Sequence, residues 1–479
     1  MITQRPMCDV AVIGAGPAGL TVASELAESG RDVVVLDEQC APGGQIYKGV
    51  EKVVADRPQD IGLLGKEYAA GEALTRRFRQ SGAQYHPDVS VWQITSDQEP
   101  ELALGLLQNG SAQMLHPKHV ILATGAMERP TPFKGWTLPG VMTVGAAQTL
   151  LKSSRLLPED DVVLAGTGPL LYLYAAQLAS FGIRPQAILD TRPSMSLRAA
   201  RLGLSALTAC PKTMLAGMKW LWNARVRVNM VRGVHSLKAQ GEDHLSSVSY
   251  ETRGRRHELS TSLLLTHDGV IPNTWLSMSA GIRHHFDSAQ SCWVPDIHGA
   301  GSTSRDCISI IGDGARIGGA AVAALQGERV AYEVDAYLRT QHRAMVTTES
   351  RALRRQRQLR RFLDCAFPPT ADFQLPADET IVCRCEEVSA GEIRQVAARG
   401  CMGPNQGKAF TRCGMGPCMG RKCALTVSQV MADGRGVSVG EIGHYRIRSP
   451  IRPITVGQLA DMDSSLAADS QSVLSVDSS

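Results

Sequence analysis

The sequence contains no Cys-x-x-Cys pair, although it has twelve cysteines in 479 residues. This absence argues against the redox-active dithiol of a disulfide reductase. There is also no excess of one charge, because 50 basic residues face 46 acidic ones. The near balance argues against a dedicated nucleic-acid-binding protein. No secretory signal precedes the first strand-like run, so we expect reduced thiols and a cytoplasmic location, or a peripheral one at the inner face of the cytoplasmic membrane.

Long apolar runs are scarce, with one exception at residues 162–183. This stretch, VVLAGTGPLLYLYAAQLASFGI, carries no charge from end to end and is long enough to cross a bilayer. Its Gly-Thr-Gly-Pro interruption favours a buried strand, a tight turn and a helix over one continuous helix. We therefore predict no transmembrane segment.

What is abundant is glycine, with 46 residues, and apolar side chains, at 43% of the chain. This composition is typical of a globular α/β protein, and the length predicts two to four domains.

The residues 8–39 predict a dinucleotide-binding unit of strand, turn, helix and strand. The turn has the G-x-G-x-x-G spacing, and its predicted cofactor-binding residues are Gly14, Gly16, Pro17, Ala18 and Gly19. The first glycine permits the tight turn, the second lets the backbone approach a pyrophosphate, and the third allows close helix–strand packing. The helix N-terminus then offers N–H donors to the phosphates.

An acidic residue ends the second strand, where it can bind a ribose hydroxyl group. Asp37 is the first candidate for this role and Glu38 is the neighbouring alternative.

Three further segments favour FAD over NAD as the bound dinucleotide. The Pro-Gly-Gly-Gln-Ile-Tyr loop, the Ala-Thr-Gly strand end and a late strand followed by Gly-Asp and a helix occur in the order expected of a flavoprotein. The residues predicted to bind FAD in these segments are Gly44, Gln45, Thr124, Gly125, Gly312 and Asp313. Asp313 is expected to bind the ribityl chain or the pyrophosphate.

A second strand–turn–helix–strand unit follows at residues 160–190. Gly166 and Gly168 match the first two glycines of the motif, but Leu171 stands at the third position. The sequence leaves two alternatives open: a degenerate NAD-like domain, or a domain that still binds NAD(P) or another nucleotide.

The cysteines concentrate near the C-terminus, after a linker whose six arginines between Arg351 and Arg361 predict a basic helix. Cys383 and Cys385 form a Cys-x-Cys pair, and Cys418 and Cys423 form a Cys-x₄-Cys pair further along the chain. Four thiolates can hold Zn²⁺ or a [2Fe–2S] cluster. The tight first pair and the surrounding arginines favour the cluster. Cys413 is then the spare thiol, packed beside the cluster, and the sequence leaves open whether it replaces Cys418 as a ligand.

These motifs together resemble the A subunits of FAD-dependent opine oxidases and their relatives in hydrogen cyanide synthase and D-hydroxyproline dehydrogenase. The cysteine pattern resembles the [2Fe–2S] domain of bacterioferritin-associated ferredoxin. The resemblance implies an α/β, two-dinucleotide-binding flavoprotein fold of the glutathione- and thioredoxin-reductase type with a small, α-rich C-terminal [2Fe–2S] domain.

The expected domains follow from this resemblance. They are the first part of the FAD domain (1–150), the inserted NAD-like domain (151–265), the return part of the FAD domain (266–345), the basic linker (346–378), the cluster domain (379–436) and a C-terminal extension with a disordered tail (437–479).

The resemblance further implies an electron-transferring subunit of a heteromeric amino-acid, opine or hydroxyproline dehydrogenase. Its partner would be an FAD-containing, substrate-oxidising beta subunit, with room for a further small subunit or a respiratory electron acceptor. Two alternatives are a free-standing NAD(P)H-dependent reductase and a non-catalytic [2Fe–2S] docking or iron-handling module. No catalytic residue is predicted, and His267 is expected to serve a turn.

Overall fold

A computed structural model describes residues 7–95, 101–340 and 349–462. The tail from residue 463 onward, for which the sequence predicts disorder, lies outside the described part of the chain.

Strands and helices alternate through most of the chain. The strands are β1 (Met7–Ile13), β2 (Val33–Leu36), β3 (Gln84–His86), β4 (Val89–Ile94), β5 (Leu104–Gln108), β6 (Ser111–Leu122), β7 (Ala126–Glu128), β8 (Val141–Thr143), β9 (Val163–Thr167), β10 (Ala187–Asp190), β11 (Met230–Arg232), β12 (His235–Gln240), β13 (Ser247–Thr252), β14 (Arg255–Ser260), β15 (Leu264–Asp268), β16 (Val270–Pro272), β17 (His284–Asp287), β18 (Cys292–Pro295), β19 (Ile308–Ile310), β20 (Ile381–Cys383) and β21 (Val388–Ser389). The helices are α1 (Pro17–Glu28), α2 (Val50–Asp56), α3 (Pro58–Leu64), α4 (Lys66–Gln80), α5 (Val144–Ser154), α6 (Pro169–Ser180), α7 (Leu197–Ala209), α8 (Pro211–Arg227), α9 (Trp275–Ser279), α10 (Ala320–Thr340), α11 (Arg351–Ala366), α12 (Ala371–Gln374), α13 (Ala390–Ala398), α14 (Pro404–Thr411), α15 (Ala424–Arg435) and α16 (Val439–Ile442), with a 3₁₀ turn at Gly312–Gly314.

The first sheet has the strand order β3-β2-β1-β6-β5-β4, and β19 pairs with β6 from the other end of the chain. The β3, β2, β1, β6 and β19 strands are parallel, and β4 and β5 add an antiparallel extension. Apart from Asp9, β1 is apolar, and Val10 and Val12 are fully buried in one cluster with side chains of α1 and α10. Parallel strands that are covered on both faces are expected to be almost continuously apolar, which explains the composition of β1.

The second sheet is entirely parallel and has the order β11-β10-β9-β15-β8. A three-stranded antiparallel sheet, β12-β13-β14, packs beside it. The charge-free run at residues 162–183 forms β9 and α6, as the sequence predicts. No helix in the described ranges is long and apolar enough to cross a membrane.

The chain after α12 forms a small module of short strands and helices, which we call the cysteine module (residues 377–462). Its core contains Ile393, Val396, Val427 and Val430. A capping box starts α13, where the Ser389 hydroxyl accepts from the Glu392 N–H and the Glu392 carboxylate accepts from the Ser389 N–H. The α/β fold with two nucleotide-type sheets and an α-rich C-terminal module confirms the predicted fold class.

Candidate flavin and cysteine sites

The predicted dinucleotide loop connects β1 to α1 as expected. Gly14 has a φ of 106°, which favours glycine. Gly16 caps α1, and Pro17 occupies its first turn beside Ala18. A side chain on Gly19 would overlap the carbonyl of Gly14, so the helix can pack this closely only without one. The first helical N–H groups are therefore directed to the place predicted for a pyrophosphate.

The loop that carries Gly44 and Gln45 folds over this turn. The Gly43 N–H donates to the Ala15 carbonyl at 2.8 Å, and a Cβ on Gly44 would lie 2.8 Å from the Cα of Gly16. Lys152 of α5 fixes the loop, because its ammonium group donates to the carbonyls of Gln45 and Ile46 at 3.2 and 3.0 Å.

Lys152 is a positioning residue that the sequence reasoning missed. It is 3% exposed, and burial lowers the pKa of its ammonium group to about 7. A third acceptor, Gln148 Oε1, lies 2.9 Å away, so each of three N–H groups has an oxygen partner. These acceptors stabilise the charged form against the cost of burial.

The two acidic candidates at the end of β2 have different environments. Asp37 is buried and its carboxylate accepts from the N–H groups of Ala15 at 2.5 Å and Gln39 at 2.7 Å. Burial raises the pKa of Asp37 despite these bonds. Glu38 forms an ion pair with Arg452 of the cysteine module. Asp37 therefore shapes the dinucleotide turn directly, whereas Glu38 is engaged elsewhere.

The remaining predicted flavin residues converge on the same place. Thr124 Oγ1 donates to the Asn273 carbonyl at 3.0 Å, and the Asn273 N–H donates to the Gly125 carbonyl. A Cβ on Gly312 would lie 2.9 Å from the Cβ of Ala18. One carboxylate oxygen of Asp313 accepts from the N–H groups of Gly318 and Gly319, both at 2.8 Å, immediately before α10. Segments that are far apart in the sequence thus form one glycine-lined cradle that fits a dinucleotide.

At the second nucleotide-type turn, a histidine side chain packs against the second glycine. Gly168 precedes α6, and a Cβ there would lie 3.0 Å from the imidazole ring of His267. His267 lies on β15 rather than in a turn, and its Nδ1 is 2.8 Å from Glu128 Oε1. Glu128 is an unpredicted member of this pair, and its other oxygen accepts from the Gly145 N–H. The bond from His267 lowers the pKa of Glu128 against the effect of burial.

The linker passes over the carboxyl ends of the second sheet at Thr370. The Thr370 hydroxyl lies 2.7 Å from Asp268 Oδ1, at the end of β15, and 2.7 Å from Thr191 Oγ1, just after β10. Because β9 lies between β10 and β15, this bridge passes over the crevice where such folds bind nucleotides. Asp190, which occupies the position of a ribose-binding acid, pairs with Arg192 at 2.8 Å.

In the cysteine module, three buried thiols converge. The sulfur atoms of Cys383, Cys413 and Cys423 all lie within 4.8 Å of one another. Cys383 ends β20, Cys413 follows α14, and Cys423 caps the N-terminus of α15, where N–H groups and the helix dipole favour an anionic group. Hydrogen bonds from Cys413 and Cys423 hold the pKa of the Cys383 thiol far below its ordinary value.

The other two predicted ligands form a second pair beside this trio. Cys385 is exposed, and both the backbone and the thiol of Cys418 contact its sulfur. Gly416 packs against Cys385, whose sulfur would be 3.4 Å from a Cβ there. All four predicted ligands thus lie in one region, and their ligation stays a prediction. Cys413, predicted as a spare thiol beside the cluster, has its sulfur within 4.8 Å of those of Cys383 and Cys423.

A tyrosine that the sequence reasoning missed holds the cysteine loop. The Tyr445 hydroxyl donates to the Cys413 carbonyl at 2.9 Å, and its ring covers Gly414 and Gly420. A Cβ on Gly414 would lie 2.6 Å from this ring. The Lys408 ammonium lies 4.3 Å from the ring centre, a cation–π contact.

Comparison with known proteins places the chain in a family. The model for pyridine nucleotide-disulphide oxidoreductases matches residues 8–327, and that for the sarcosine oxidase A3 domain matches residues 377–462. The A subunit of opine oxidase from Rhizobium meliloti (strain 1021) is 41% identical over 463 residues, covering 95% of this chain and 98% of the relative. The chain belongs to the family of opine oxidase A subunits. The resemblance to the A subunits of opine oxidases is thereby confirmed.

More distant relatives agree with this assignment. Hydrogen cyanide synthase subunit HcnB of Pseudomonas aeruginosa is 31% identical over 92% of this chain and 96% of the relative. The crystal structure of L-proline dehydrogenase from P. horikoshii has a TM-score of 0.66, 19% identity and coverage of 95% of this chain and 80% of its own. At that identity the structure shows a shared fold. The family member described here is a flavin-dependent oxidoreductase, as predicted.

Proposed function

We propose that this chain is the FAD- and [2Fe–2S]-containing, electron-transferring subunit of a heteromeric dehydrogenase for opines or related amino and imino acids. In this proposal a partner flavoprotein, the beta subunit, oxidises the substrate C–N bond. A further small subunit or a respiratory component takes the electrons onward. The observation that carries the proposal is the packing of the cysteine module directly against the domain that holds the FAD-type cradle, seen in the ion pair of Arg452 with Glu38.

The chain's residues fit both cofactors. Gly14, Gly16 and Gly44 leave room for a pyrophosphate, and Asp37 and Asp313 each accept from backbone N–H groups of the cradle segments. When bound, FAD exchanges two electrons or one, whereas a [2Fe–2S] cluster exchanges one. The two groups of thiols, Cys385 with Cys418 and the trio around Cys383, suit two iron atoms that each take two thiolates.

This arrangement supports a ligand set in which Cys385 and Cys418 share one iron. The other iron then takes two thiolates from Cys383, Cys413 and Cys423. We propose Cys383 and Cys423 for it, because Cys423 lies at the N-terminus of α15 and Cys383 belongs to the short hairpin that also presents Cys385. Because its sulfur lies beside those of Cys383 and Cys423, Cys413 is the alternative ligand to one of these two rather than to Cys418.

Contacts at the carboxyl ends of the second sheet argue against a free-standing NAD(P)H-dependent reductase. Thr370 bridges the strand ends, His267 fills the space at Gly168, and Arg192 engages Asp190. The first two contacts occupy two places that a dinucleotide would use, namely the crevice and the pyrophosphate turn, while the Asp190–Arg192 pair is also compatible with a nucleotide that carries a 2′-phosphate. In our proposal electrons therefore come from the beta subunit rather than from NAD(P)H.

Reconstitution tests the proposal. This chain and the beta subunit, each purified, are assayed separately and together for oxidation of opines and hydroxyproline with an artificial acceptor. We expect full turnover with both chains and little with this chain alone. Oxidation by this chain alone at the rate of the complex would refute the assignment of the substrate site to the partner.

Metal analysis separates the two possible occupants of the thiol group. We expect two irons and two acid-labile sulfides per chain together with one FAD. One zinc and no iron would instead show that the converging thiols hold Zn²⁺, for which four thiolate ligands are equally suitable.

A further inference from the structure

The helical hairpin formed by α7 and α8 exposes an unusual amount of apolar surface. On α8, Leu215, Met218, Trp222 and Val226 follow one another at helical spacing and are exposed, Trp222 by 68%. On α7, Leu197 and Leu204 are also exposed, Leu197 by 81%. We call these six side chains the hairpin face.

The hairpin face does not contribute to folding, because other sides of the two helices serve the core. Ala206 of α7 packs in a cluster with Leu359 of α11, and Gly203 lies against the ring of Phe362. Ala224 and Val228 bury the opposite side of α8 in the core of the second sheet. Apolar residues exposed in such numbers on neighbouring helices mark an interaction surface.

Charge specifies the kind of partner. Between Asp190 and Glu242 the sequence has no acidic residue, while it has nine lysines and arginines, six of them in α7 and α8. Lys212, Lys219 and Arg225 are exposed among the apolar residues of α8. The helix α11, which packs on α7, carries six more arginines, and two of these pair with acidic residues, Arg357 with Glu349 and Arg360 with Asp364.

We propose that the hairpin face binds the surface of an anionic lipid bilayer. A helix that lies in a membrane interface has apolar and tryptophan side chains on one face and lysine and arginine around them, and this hairpin has both. The basic residues are attracted to acidic headgroups, and their long side chains can reach the headgroups while Leu215, Trp222 and Val226 enter the acyl boundary. A protein partner would need an acidic surface across the whole hairpin. This inference does not depend on the proposed redox function.

Vesicle flotation of the full-length chain tests the proposal. We expect the protein to float with vesicles of phosphatidylcholine and phosphatidylglycerol and to stay behind with phosphatidylcholine alone. The apparent affinity should fall at least about tenfold in the double variant Leu215→Glu/Trp222→Glu. It should also fall in Lys212→Gln/Lys219→Gln and in high salt.

Matched controls keep the outcome unambiguous. The single variant Val226→Glu should also bind the vesicles more weakly. It is compared with Val456→Glu, which changes a similarly exposed valine outside the hairpin. Lys212→Gln/Lys219→Gln is compared with Lys52→Gln/Lys66→Gln, which removes two exposed lysines elsewhere. Bound flavin and the midpoint of thermal unfolding show that each variant is folded.

Failure of the native chain to float, or equal flotation of hairpin and control variants, overturns the proposal. Loss of beta-subunit binding with unchanged flotation also overturns it and assigns the face to that subunit.

Discussion

The Thr370 hydroxyl donates to the buried carboxylate of Asp268 at 2.7 Å, and the Thr370 N–H donates to the same oxygen at 3.0 Å. The Nε atom of Arg129 lies 4.0 Å from the other oxygen of this carboxylate, Oδ2. Burial raises the pKa of Asp268 to about 6, so these partners are needed to keep it charged. The linker is thus bonded to the edge of the second sheet at a point where a nucleotide would have to displace it.

Anaerobic mixing with NADH should therefore leave the flavin oxidised. The expected result is no loss of the visible flavin absorbance on the time scale of substrate turnover, since Thr370 crosses the crevice and His267 fills the space beside Gly168. Stopped-flow spectroscopy measures this, with the substrate and the beta subunit as the positive control. Rapid bleaching by NADH would show that the linker moves aside and would restore the reductase alternative.

Gly44→Ala should weaken flavin binding. Its φ of 59° already disfavours alanine, and the added Cβ would lie 2.8 Å from Gly16, inside the cradle. We expect at least a tenfold loss of flavin content or affinity, measured by absorbance after desalting. Gly254→Ala is the matched control, because its φ of 70° carries the same backbone strain while no atom lies within 4 Å of the added Cβ. Equal flavin loss in both variants would mean that the effect is general destabilisation.

Serine substitutions should separate the roles of the five converging thiols. Cys418→Ser should abolish the electron paramagnetic resonance signal of the reduced cluster, because the iron proposed to be shared by Cys385 and Cys418 then loses one thiolate ligand. Cys413→Ser should leave the signal in place with a shifted line shape, since its sulfur lies beside two proposed ligands. A lost signal in Cys413→Ser with a retained one in Cys418→Ser would reverse the assignment.

The packing of the cysteine module should weaken in acid. His444 contacts the rings of Trp275 and Trp293 at centroid distances of 5.1 and 5.8 Å, and burial lowers its pKa to about 4. Between the ordinary histidine pKa of about 6.5 and this lowered value, the unfolded chain binds more protons than the folded one, so stability falls as the pH falls. This group contributes at most about 1.4 kcal/mol per pH unit over that window.

His444→Phe isolates this contribution. The variant keeps an aromatic ring that cannot titrate, so its midpoint of thermal unfolding should fall less steeply over the same pH window. His284 has a similarly lowered pKa and remains in both proteins, which accounts for a residual slope. Identical slopes for the two proteins would contradict the role given to His444.

The parts of the site that the sequence could predict are those whose geometry is local. The turn at Gly14 and Gly16, the capping box at Ser389 and the place of Cys423 before a helix all follow from constraints within a few residues. The converging segments at Thr124 and Gly312 could be predicted because the motif order is a signature of the fold.

The contacts that sequence reasoning missed join distant residues without a spacing rule. Thr370 reaches Asp268 from the linker, and Arg452 reaches Glu38 from near the other end of the described chain. Counting residues between cysteines could not place Cys413, because the positive φ values of Gly414 and Gly420, and the Tyr445 ring that covers both, turn the loop back on itself. Lys152 and Glu128 are single charged residues, one buried and one partly buried, whose environments only the tertiary structure reveals.

The cysteine module is fastened to the rest of the chain at both of its ends. Near its start, the Trp136 indole donates to the Ile381 carbonyl at 2.6 Å, and near its end the Ile451 N–H donates to the Trp92 carbonyl at 2.9 Å, next to the ion pair of Arg452 with Glu38. A segment anchored twice cannot swing as a rigid body. If electrons pass between the two sites of this chain, they cross a fixed gap, and the rate of that transfer should be insensitive to solvent viscosity.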